Sequence, residues 1–357
     1  MVVEILWFAL GLVALVAGAE LLVRGASGLA LSFGISPLVV GLTIVAFGTS
    51  APEVAVSVGS ALDGRADIAV GNVVGSNIFN VLFILGLSAL ITPLVVNAQL
   101  IRQEVPIMVG ASFLLAFLVL DRSIGRLDAV LLFGLLIAYT LFLVVQSRKE
   151  TRATKDEYQE EVDRISRGRW DDHWAVQGVL VVMGLALLVV GSDWLVGAAV
   201  AFARAFGVSD LVIGLTIVAA GTSMPEVATS VTAAFKGERD IAVGNVVGSN
   251  TFNILGCLGF TGLVASAGIA VAPAVLTFDL WVMLAVAVGC LPVFFTGREI
   301  ARWEGGVFLG YYAAYAAYLV LSAQQHDLLP AFSAAMLWFV IPLTVVTLAV
   351  VLVRALR

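Results

Sequence analysis

Residues 41–80 read GLTIVAFGTSAPEVAVSVGSALDGRADIAVGNVVGSNIFN, and residues 214–253 read GLTIVAAGTSMPEVATSVTAAFKGERDIAVGNVVGSNTFN. Thirty of these forty aligned positions are identical. The same offset of 173 residues aligns Gly18 with Gly191, so the duplication covers more than one motif. A duplication retained only for packing would keep apolar volume alike, whereas the closest match here falls on polar residues. The repeat therefore predicts a polar site that both copies share.

Long apolar stretches surround both copies. Hydrophobic residues make up 61% of the 357 residues and charged residues only 12%. The mean hydropathy is +1.06, far from that of a soluble domain. We therefore expect a multi-pass protein of the cell membrane. Eleven stretches approach the ~20 residues that a helix needs to cross a bilayer, and they lie at 2–23, 36–62, 68–92, 104–120, 127–146, 174–199, 208–235, 241–265, 276–296, 304–322 and 332–353.

The number of stretches in each copy predicts the architecture. Five stretches precede a charged segment and five follow it, before one more at the C-terminus. Because five is odd, the second copy is inverted in the membrane, and inverted repeats place a shared site near the bilayer midplane. We expect an all-α polytopic membrane protein with two inverted five-helix repeats, ten core transmembrane helices, and one extra C-terminal helix. The predicted units are a first repeat at 1–146, a charged cytoplasmic loop at 147–173, a second repeat at 174–323 and the additional helix at 324–357.

The distribution of basic residues predicts the orientation. Loops that alternate between the two sides place most Lys and Arg residues on one side, which the positive-inside rule makes cytoplasmic. The N-terminus is then outside and the C-terminus cytoplasmic. The basic side collects Arg24, Arg102, Arg148, Lys149, Arg152, Lys155, Arg164, Arg167, Arg169, Lys236, Arg239, Arg298, Arg302, Arg354 and Arg357. The other side holds Arg65, Arg122, Arg126 and Arg204.

The first matched block, GTSAPE at 48–53 and GTSMPE at 221–226, predicts a broken helix in each copy. Proline lacks an amide hydrogen and clashes with the carbonyl four residues earlier. Pro52 and Pro225 should therefore break their helices near Gly48 and Gly221. Non-helical backbone at membrane depth needs protein or a lined cavity to satisfy it, and a bound cation would do so. The carbonyls that become candidate ligands are those of Ala46, Thr49, Ala219 and Thr222.

Each block also carries a carboxylate in an apolar span. Glu53 lies four residues after Thr49, and Glu226 four after Thr222, so each pair shares one helical face. An ionised group at mid-bilayer costs roughly 2.5 kcal/mol or more and usually marks an ion or substrate pathway. The alternative is a protonated Glu that is hydrogen-bonded within the bundle, which is harder to reconcile with two equivalent positions.

The second matched block, GNVVGSN at 71–77 and 244–250, places polar residues on one helical stripe. The stripes contain Asn72, Ser76 and Asn80 in one copy, and Asn245, Ser249 and Asn253 in the other. We favour ligation of an ion over interhelical hydrogen bonds for these oxygens. The GxxxG spacing of the glycines instead favours close helix packing.

The donor set indicates hard cations. Both motifs offer carboxylate, hydroxyl, amide and carbonyl oxygens, with no imidazole or thiolate. Ca2+ accepts six to eight oxygens in irregular geometry and Na+ also prefers oxygen, whereas Zn2+ or Cu favours His or Cys. Cys257 and Cys290 are expected to be small buried hydrophobes, and His173 and His326 to be solvated.

Charge balance suggests exchange rather than leak. If both Glu residues are ionised, one Ca2+ or two or more Na+ would neutralise them. An empty site would have to carry two negative charges through an occluded state. The protein should therefore change its open side only when it is loaded.

At these motifs the chain resembles the calcium/cation antiporter superfamily, in particular its prokaryotic sodium/calcium exchanger branch. The resemblance implies ten helices in two inverted halves, with a core that binds one Ca2+ or several Na+ alternately. It implies Glu53 and Glu226 as the principal Ca2+ ligands, assisted by the carbonyls of Thr49 and Thr222. For the flanking Na+ sites it implies Ser50, Ser76, Ser223, Ser249 and the carbonyls of Ala46 and Ala219, with Asn80 and Asn253 as a central polar pair.

The chain departs from that family in two respects. Some relatives carry Asp at one position of the central pair, whereas this chain has Asn at both, which leaves Na+ stoichiometry and K+ dependence open. The eleventh helix exceeds the ten-helix pattern. The charged loop of 147–173 is too short for the calcium-sensing domains of large animal exchangers, so we expect no such regulation.

Several alternatives stay open at this point. The nearest are K+-dependent Na+/Ca2+ exchange, H+/Ca2+ exchange, and another divalent cation as substrate. A cation channel and an intramembrane enzyme are more distant, because inverted repeats suit a transporter and no triad partner accompanies the Ser and Glu residues. We expect no enzymatic activity, no cofactor beyond the transported Ca2+ and Na+, and no nucleic-acid partner.

Overall fold

A computed structural model describes residues 2–33, 35–153, 173–206, 213, 217 and 219–356. Its first half contains α1 (Val2–Phe33), α2 (Pro37–Val40), α3 (Ala46–Thr49), α4 (Ala51–Leu62), α5 (Asp67–Phe79), α6 (Gly86–Ile91), α7 (Val105–Leu118) and α8 (Arg126–Ala153). Its second half contains α9 (Trp174–Ala205), α10 (Ala219–Gly221), α11 (Met224–Lys236), α12 (Arg239–Phe252), α13 (Gly259–Val264), α14 (Leu280–Phe295) and α15 (Arg302–Ala323), followed by α16 (Leu329–Ala335) and α17 (Ile341–Leu356).

Short π-helical segments join many of these helices into continuous spans. The two at Asn80–Leu85 and Asn253–Leu258 lie at equivalent positions of the repeat and connect α5 to α6 and α12 to α13. The others are Gly41–Val45, Leu100–Glu104, Val275–Asp279 and Met336–Val340, and a 3₁₀ turn covers Val119–Asp121.

The described residues contain nine helices long and apolar enough to cross a membrane, or ten when the bent pair Pro37–Thr49 and Ala51–Leu62 counts as one span. These ten agree with ten of the eleven predicted stretches. The remaining stretch, 208–235, lies partly outside the described residues, which include α10 and α11 from it. Most of the charged loop also falls outside, since residues 154–172 are not described.

Two boundaries differ from the sequence prediction. The first helix continues to Phe33 rather than ending near residue 23, so Arg24 lies within it. The helix α8 runs to Ala153, into the segment that was predicted as a loop. Apolar helices extend where backbone hydrogen bonding is satisfied internally, and a charge near the end of a span does not stop them.

The fold is not purely α-helical. Four two-residue strands, β1 (Leu94–Val95), β2 (Ser123–Ile124), β3 (Ile269–Ala270) and β4 (Glu299–Ile300), form two antiparallel pairs. Leu94 pairs with Ile300, and Ser123 pairs with Ala270. Each pair joins a loop of one half to a loop of the other. The pairs therefore fix which loops share a membrane face, and they agree with the predicted alternation of sides.

Polarity in this fold is inverted relative to a soluble protein. Trp338 is 83% exposed and Leu127 85% exposed, while Glu53 and Glu226 are fully buried. A lipid solvent favours this arrangement, because apolar side chains lose nothing by facing acyl chains and polar groups need partners inside the bundle. The polar centre is where the two copies meet.

Helices α1 and α9 pack tightly against each other through glycines. A Cβ atom added to Gly18 would lie 2.8 Å from the carbonyl oxygen of Gly184, and one added to Gly184 would lie 2.6 Å from the amide nitrogen of Leu22. Since real Cβ atoms do not approach backbone this closely, glycine is required at both positions. The missing side chains let the two helices lie backbone to backbone.

We predict that Gly184→Ala destabilises the protein by about 1–3 kcal/mol, because the added methyl group overpacks the α1–α9 contact. The matched control is Gly197→Ala in the same helix, where the glycine is exposed. Thermal unfolding in detergent measures both variants. Equal melting temperatures for the two variants would contradict the close contact.

Candidate cation site

Both predicted helix breaks are present, two residues or less beyond the predicted positions. Ser50 separates α3 from α4, and the chain bends by 42° between Pro37–Thr49 and Ala51–Leu62. In the second copy, Thr222 and Ser223 form the turn between α10 and α11. Proline stands at the second position of both following helices, where it needs no amide hydrogen.

The two carboxylates lie in the first turns of the helices that follow these breaks. Glu53 lies in the first turn of α4 and Glu226 in the first turn of α11. A helix N-terminus favours negative charge, and the C-terminal ends of the preceding half-helices present carbonyl oxygens to the same region. Each break thus places backbone N–H groups, which stabilise an anion, and backbone carbonyl groups, which attract a cation, near the acid.

Serines from both halves hold each carboxylate. Ser223 donates to Oε1 of Glu53 at 2.8 Å, and Ser50 donates to Oε1 of Glu226 at 3.0 Å. These hydrogen bonds cross between the two copies. Within each copy, Ser76 lies 3.4 Å from Oε1 of Glu53, and Ser249 lies 3.5 Å from Oε1 of Glu226. Four of the predicted serines therefore converge on the two acids.

Four buried acceptor oxygens at this centre have no hydrogen-bond partner among the described residues. They are Oε2 of Glu53, Oε2 of Glu226, Oδ1 of Asn80 and Oδ1 of Asn253. A buried acceptor without a donor loses its hydration and gains no hydrogen bond. This costs about 1–3 kcal/mol per group, and more when the group is charged. A cation binds to acceptor atoms and not to donors, and oxygen acceptors suit a hard cation.

The structure adds Asn77 and Asn250, which the sequence interpretation missed. Each donates its Nδ2 to the backbone carbonyl of the other, at 3.1 and 3.2 Å. Their Oδ1 atoms accept hydrogen bonds from Asn253 at 3.1 Å and from Asn80 at 3.0 Å. Both residues stand in the matched GNVVGSN block but lie off the stripe of Asn72, Ser76 and Asn80. Their identity in both copies was the available signal.

Asn72 and Asn245 act as clamps between helices of the same copy. Asn72 donates to the carbonyl of Glu53 at 3.2 Å and to Ser57 Oγ at 3.1 Å. Asn245 donates to Ser230 Oγ at 2.9 Å and lies 3.5 Å from the carbonyl of Glu226. The residues of each predicted stripe therefore differ in role. The asparagine at its outer end is structural, whereas the serine and the second asparagine lie near the acids.

The two predicted threonines differ in their contacts. Thr49 Oγ1 lies 3.1 Å from Oδ1 of Asn245. Thr222 lies beside Glu53, but its hydroxyl makes no hydrogen bond among the described residues. The equivalent contact from Thr222 to Asn72 is thus not made. The two copies therefore make different contacts around the same centre.

The two GNVVGSN blocks also differ in burial, and the block of the second copy is the more buried one. Gly244, Asn245 and Gly248 are fully buried, whereas Gly71 and Asn72 are only half-buried. A Cβ added to Gly248 would lie 2.7 Å from the carbonyl of Leu42, which confirms the close packing predicted from the GxxxG spacing in the second copy.

Backbone positions of the remaining predicted ligands are less uniform. The carbonyl of Ala46 is not freed by the break, since it accepts the amide hydrogen of Ser50 at 3.1 Å. The Thr49 hydroxyl also lies 3.4 Å from this oxygen. Ala219 begins the three-residue helix α10, and its side chain is not described.

Cysteine and histidine stand largely as predicted. Cys257 and Cys290 are free and buried, although the Cys257 thiol also lies 3.5 Å from the carbonyl of Glu53. His173 and His326 are exposed near helix ends. Within the described residues, no three His, Cys, Asp or Glu side chains form a group that could hold a metal ion. The centre therefore depends on two acids and neutral oxygens.

We predict that Ser50→Ala and Ser223→Ala weaken Ca2+ binding by similar factors, about 10- to 100-fold, because each removes the hydrogen bond that orients the acid of the other copy. The control is Ser112→Ala, whose buried hydroxyl bonds only its own helix at Met108. Calorimetric titration of the purified protein gives the affinities. An effect of one serine but not the other would contradict the two-fold arrangement.

A family model for the sodium/calcium exchanger protein family matches residues 3–145 and 176–321. The two matched ranges coincide with the two repeats and leave out the charged segment and the last span.

Two relatives cover most of the chain. CaxA of Alkalimonas amylolytica is 40% identical over 331 residues, covering 90% of this chain and 100% of the relative. Sodium/calcium exchanger MaX1 of Methanosarcina acetivorans is 36% identical over 342 residues, covering 88% of this chain and 97% of the relative. Among solved structures, the sodium-calcium exchanger NCX_Mj aligns with a TM-score of 0.75 at 29% identity, over 89% of this chain and 99% of that one.

Proposed function

The chain belongs to the sodium/calcium exchanger protein family and is a multi-pass membrane antiporter, and on that premise we propose that it exchanges Ca2+ for Na+ at the centre formed by Glu53 and Glu226. The four buried oxygens without protein donors carry this proposal. Two belong to carboxylates and two to neutral amides, and all are fully buried where the inverted halves meet.

The donor chemistry supports these two ions. Ca2+ prefers carboxylates combined with neutral oxygens, in an irregular shell of six to eight ligands. We assign Glu53 and Glu226 as its principal ligands, with the carbonyls of Thr49 and Thr222 assisting. Asn80 and Asn253 contribute amide oxygens between the acids. For Na+ we assign the flanking oxygens of Ser50, Ser76, Ser223, Ser249, Ala46 and Ala219.

The same charges explain why transport is coupled. Both carboxyl groups are fully buried in one network of serines, where two ionised groups repel each other, so an ion-free site is costly to enclose. One Ca2+ or two or more Na+ relieves the repulsion. The protein therefore changes its open side only when it is loaded, and each ion can cross only in exchange for the other.

The difference between the two copies supports alternating access. The second copy is closed at Asn245, which is buried and lies 3.1 Å from Thr49, whereas the first copy is more open at Asn72, which is only half-buried. We infer that, in the described conformation, the site is open to the side of the membrane on which the Asp63–Arg65 turn lies. In the opposite conformation, Thr222 would approach Asn72 and Thr49 would leave Asn245. The inverted repeat relates these two states by an approximate two-fold rotation about an axis in the membrane plane.

We propose that the described conformation is outward-facing. The basic residues Arg102, Arg298 and Arg302 flank the β1–β4 pair, so that end is assigned to the cytoplasm by the positive-inside rule. On this assignment the N-terminus lies outside and the C-terminus inside. We also propose the four units 1–146, 147–173, 174–323 and 324–357.

Transport across a sealed membrane tests the exchange. Purified protein in Na+-loaded liposomes, diluted into Na+-free buffer with radioactive Ca2+, should take up Ca2+ in proportion to the Na+ gradient. Vesicles loaded with K+ or with acid give the comparison. Uptake that follows the K+ or proton gradient would replace Na+ as the coupling ion. Uptake without any gradient would contradict exchange.

We predict that Glu53→Gln reduces Na+-dependent Ca2+ uptake to background, because it removes half of the site's negative charge. Glu226→Gln should do the same, since the acids are equivalent. The control is Glu299→Gln, an exposed carboxylate on β4, which should retain uptake. Full uptake by both site variants would contradict the assignment.

We predict that a membrane-impermeant maleimide applied to intact cells labels Arg65→Cys and leaves Arg239→Cys unlabelled. Both positions are exposed, and the two native cysteines are buried, so background labelling should be low. Labelling of Arg239→Cys alone would reverse the proposed orientation.

A further inference from the structure

The four asparagines at the crossing of α5 and α12 form one closed hydrogen-bond network. Asn77 and Asn250 exchange hydrogen bonds between side-chain nitrogen and backbone carbonyl, at 3.1 and 3.2 Å. Each then accepts one further bond at its Oδ1, from Asn253 at 3.1 Å and from Asn80 at 3.0 Å. The pattern has two-fold symmetry, so every bond in one half has a counterpart in the other.

This network determines the orientation of the amides at the centre. The two ends of an asparagine side chain are almost identical in shape, and only their hydrogen bonds distinguish them. Because Asn77 uses its Nδ2 on a carbonyl, its Oδ1 is the atom that faces Asn253. Asn253 must then present Nδ2 to Asn77, which turns its own Oδ1 away. The same reasoning applies to Asn250 and Asn80.

The oxygens turned away are the ones that lack donors. Oδ1 of Asn80 and Oδ1 of Asn253 are both buried without a partner among the described residues. The backbone N–H of Asn80 donates to the carbonyl of Ser76 one helical turn earlier, and Ser76 lies 3.4 Å from Glu53. Asn80 therefore stands on the same helical face as the serine that contacts the acid.

We propose that Asn77 and Asn250 are positioning residues that hold Asn253 and Asn80 with their oxygens toward the transported cation. The inference rests on the proposed exchange function and deepens it. Neither residue touches the ion in this scheme. Without them an amide at the centre is free to rotate by a half-turn, which replaces a ligand oxygen with an NH2 group that repels a cation.

The network also selects asparagine over aspartate at the centre. A carboxylate at position 253 would place an oxygen against Oδ1 of Asn77, whose orientation is fixed by the Asn250 carbonyl. Two acceptors at this distance repel each other in a buried site. Asn77 and Asn250 therefore favour a donor at each central position, which an amide supplies and an ionised carboxylate does not.

The competing explanation is that these hydrogen bonds only hold α5 against α12. In that case, removing Asn77 weakens ion binding by loosening the helices, whatever residue stands at position 253. In the positioning scheme, the effect depends on that residue, because a carboxylate has two equivalent oxygens and needs no orientation. The two explanations therefore differ in a coupling between positions 77 and 253.

The experiment measures Ca2+ affinity by calorimetric titration of the purified full-length protein. The variants are Asn77→Leu, Asn253→Asp and the double variant, with Asn80→Asp and its double with Asn77→Leu as the matched control. Asn77→Leu should weaken Ca2+ binding about 10- to 100-fold. In the Asn253→Asp background its effect should fall to about twofold or reverse, because the change also removes the repelling oxygen. In the Asn80→Asp background the full effect should persist, since Asn250 holds Asn80.

The same factor in all three backgrounds would overturn the proposal and leave a structural role. If Asn77→Leu does not fold, the symmetry-related set gives the same test: Asn250→Leu with Asn80→Asp, and Asn253→Asp as control. The wild-type protein is titrated and assayed for exchange in parallel. Ca2+ binding and exchange by the wild type without coupling at these positions would refute only this inference, whereas a wild type that neither binds nor exchanges Ca2+ would refute the proposed function.

Discussion

Two carboxylates cannot lie close together inside a membrane unless a positive charge or a proton relieves their repulsion. Glu53 and Glu226 are fully buried in that position, and the surrounding structure follows from them. Broken helices place both acids at helix N-termini. Serines donate a hydrogen bond to one oxygen of each acid, and the second oxygen has no hydrogen-bond partner among the described residues. In the proposed function, the transported cation supplies the missing partner for these oxygens.

Neither half of the chain can form this centre alone. The serine that holds each acid most closely comes from the opposite copy, and the asparagines are bonded across the same boundary. This mutual dependence explains why polar residues match so closely between copies while lipid-facing ones do not. It also explains how one site can face either side, since exchanging the contacts of the two copies reproduces the same ligands with the opposite access.

The sequence predicted ten of the spans described here and the convergence of four serines on two acids, because apolar length, the duplication and helical spacing are visible in the sequence itself. It did not predict Asn77 and Asn250, whose contacts reach 170 or more residues along the chain. Spacing on a single helix assigned Asn72 to the ligands, whereas tertiary contacts make it a clamp. The carbonyl of Ala46 was expected to be free, yet the turn at Ser50 lets it keep a backbone hydrogen bond.

We propose that Ca2+ and Na+ compete for the one centre around Glu53 and Glu226 and cannot occupy it together. Equilibrium binding of radioactive Ca2+ to the purified protein, repeated over a series of Na+ concentrations at constant ionic strength, tests it most directly. We predict that each chain binds one Ca2+ and that this Ca2+ is displaced completely as the Na+ concentration rises. More than one Na+ should be needed to displace each Ca2+. Ca2+ that stays bound at saturating Na+ would contradict it, because the two ions would then occupy separate sites.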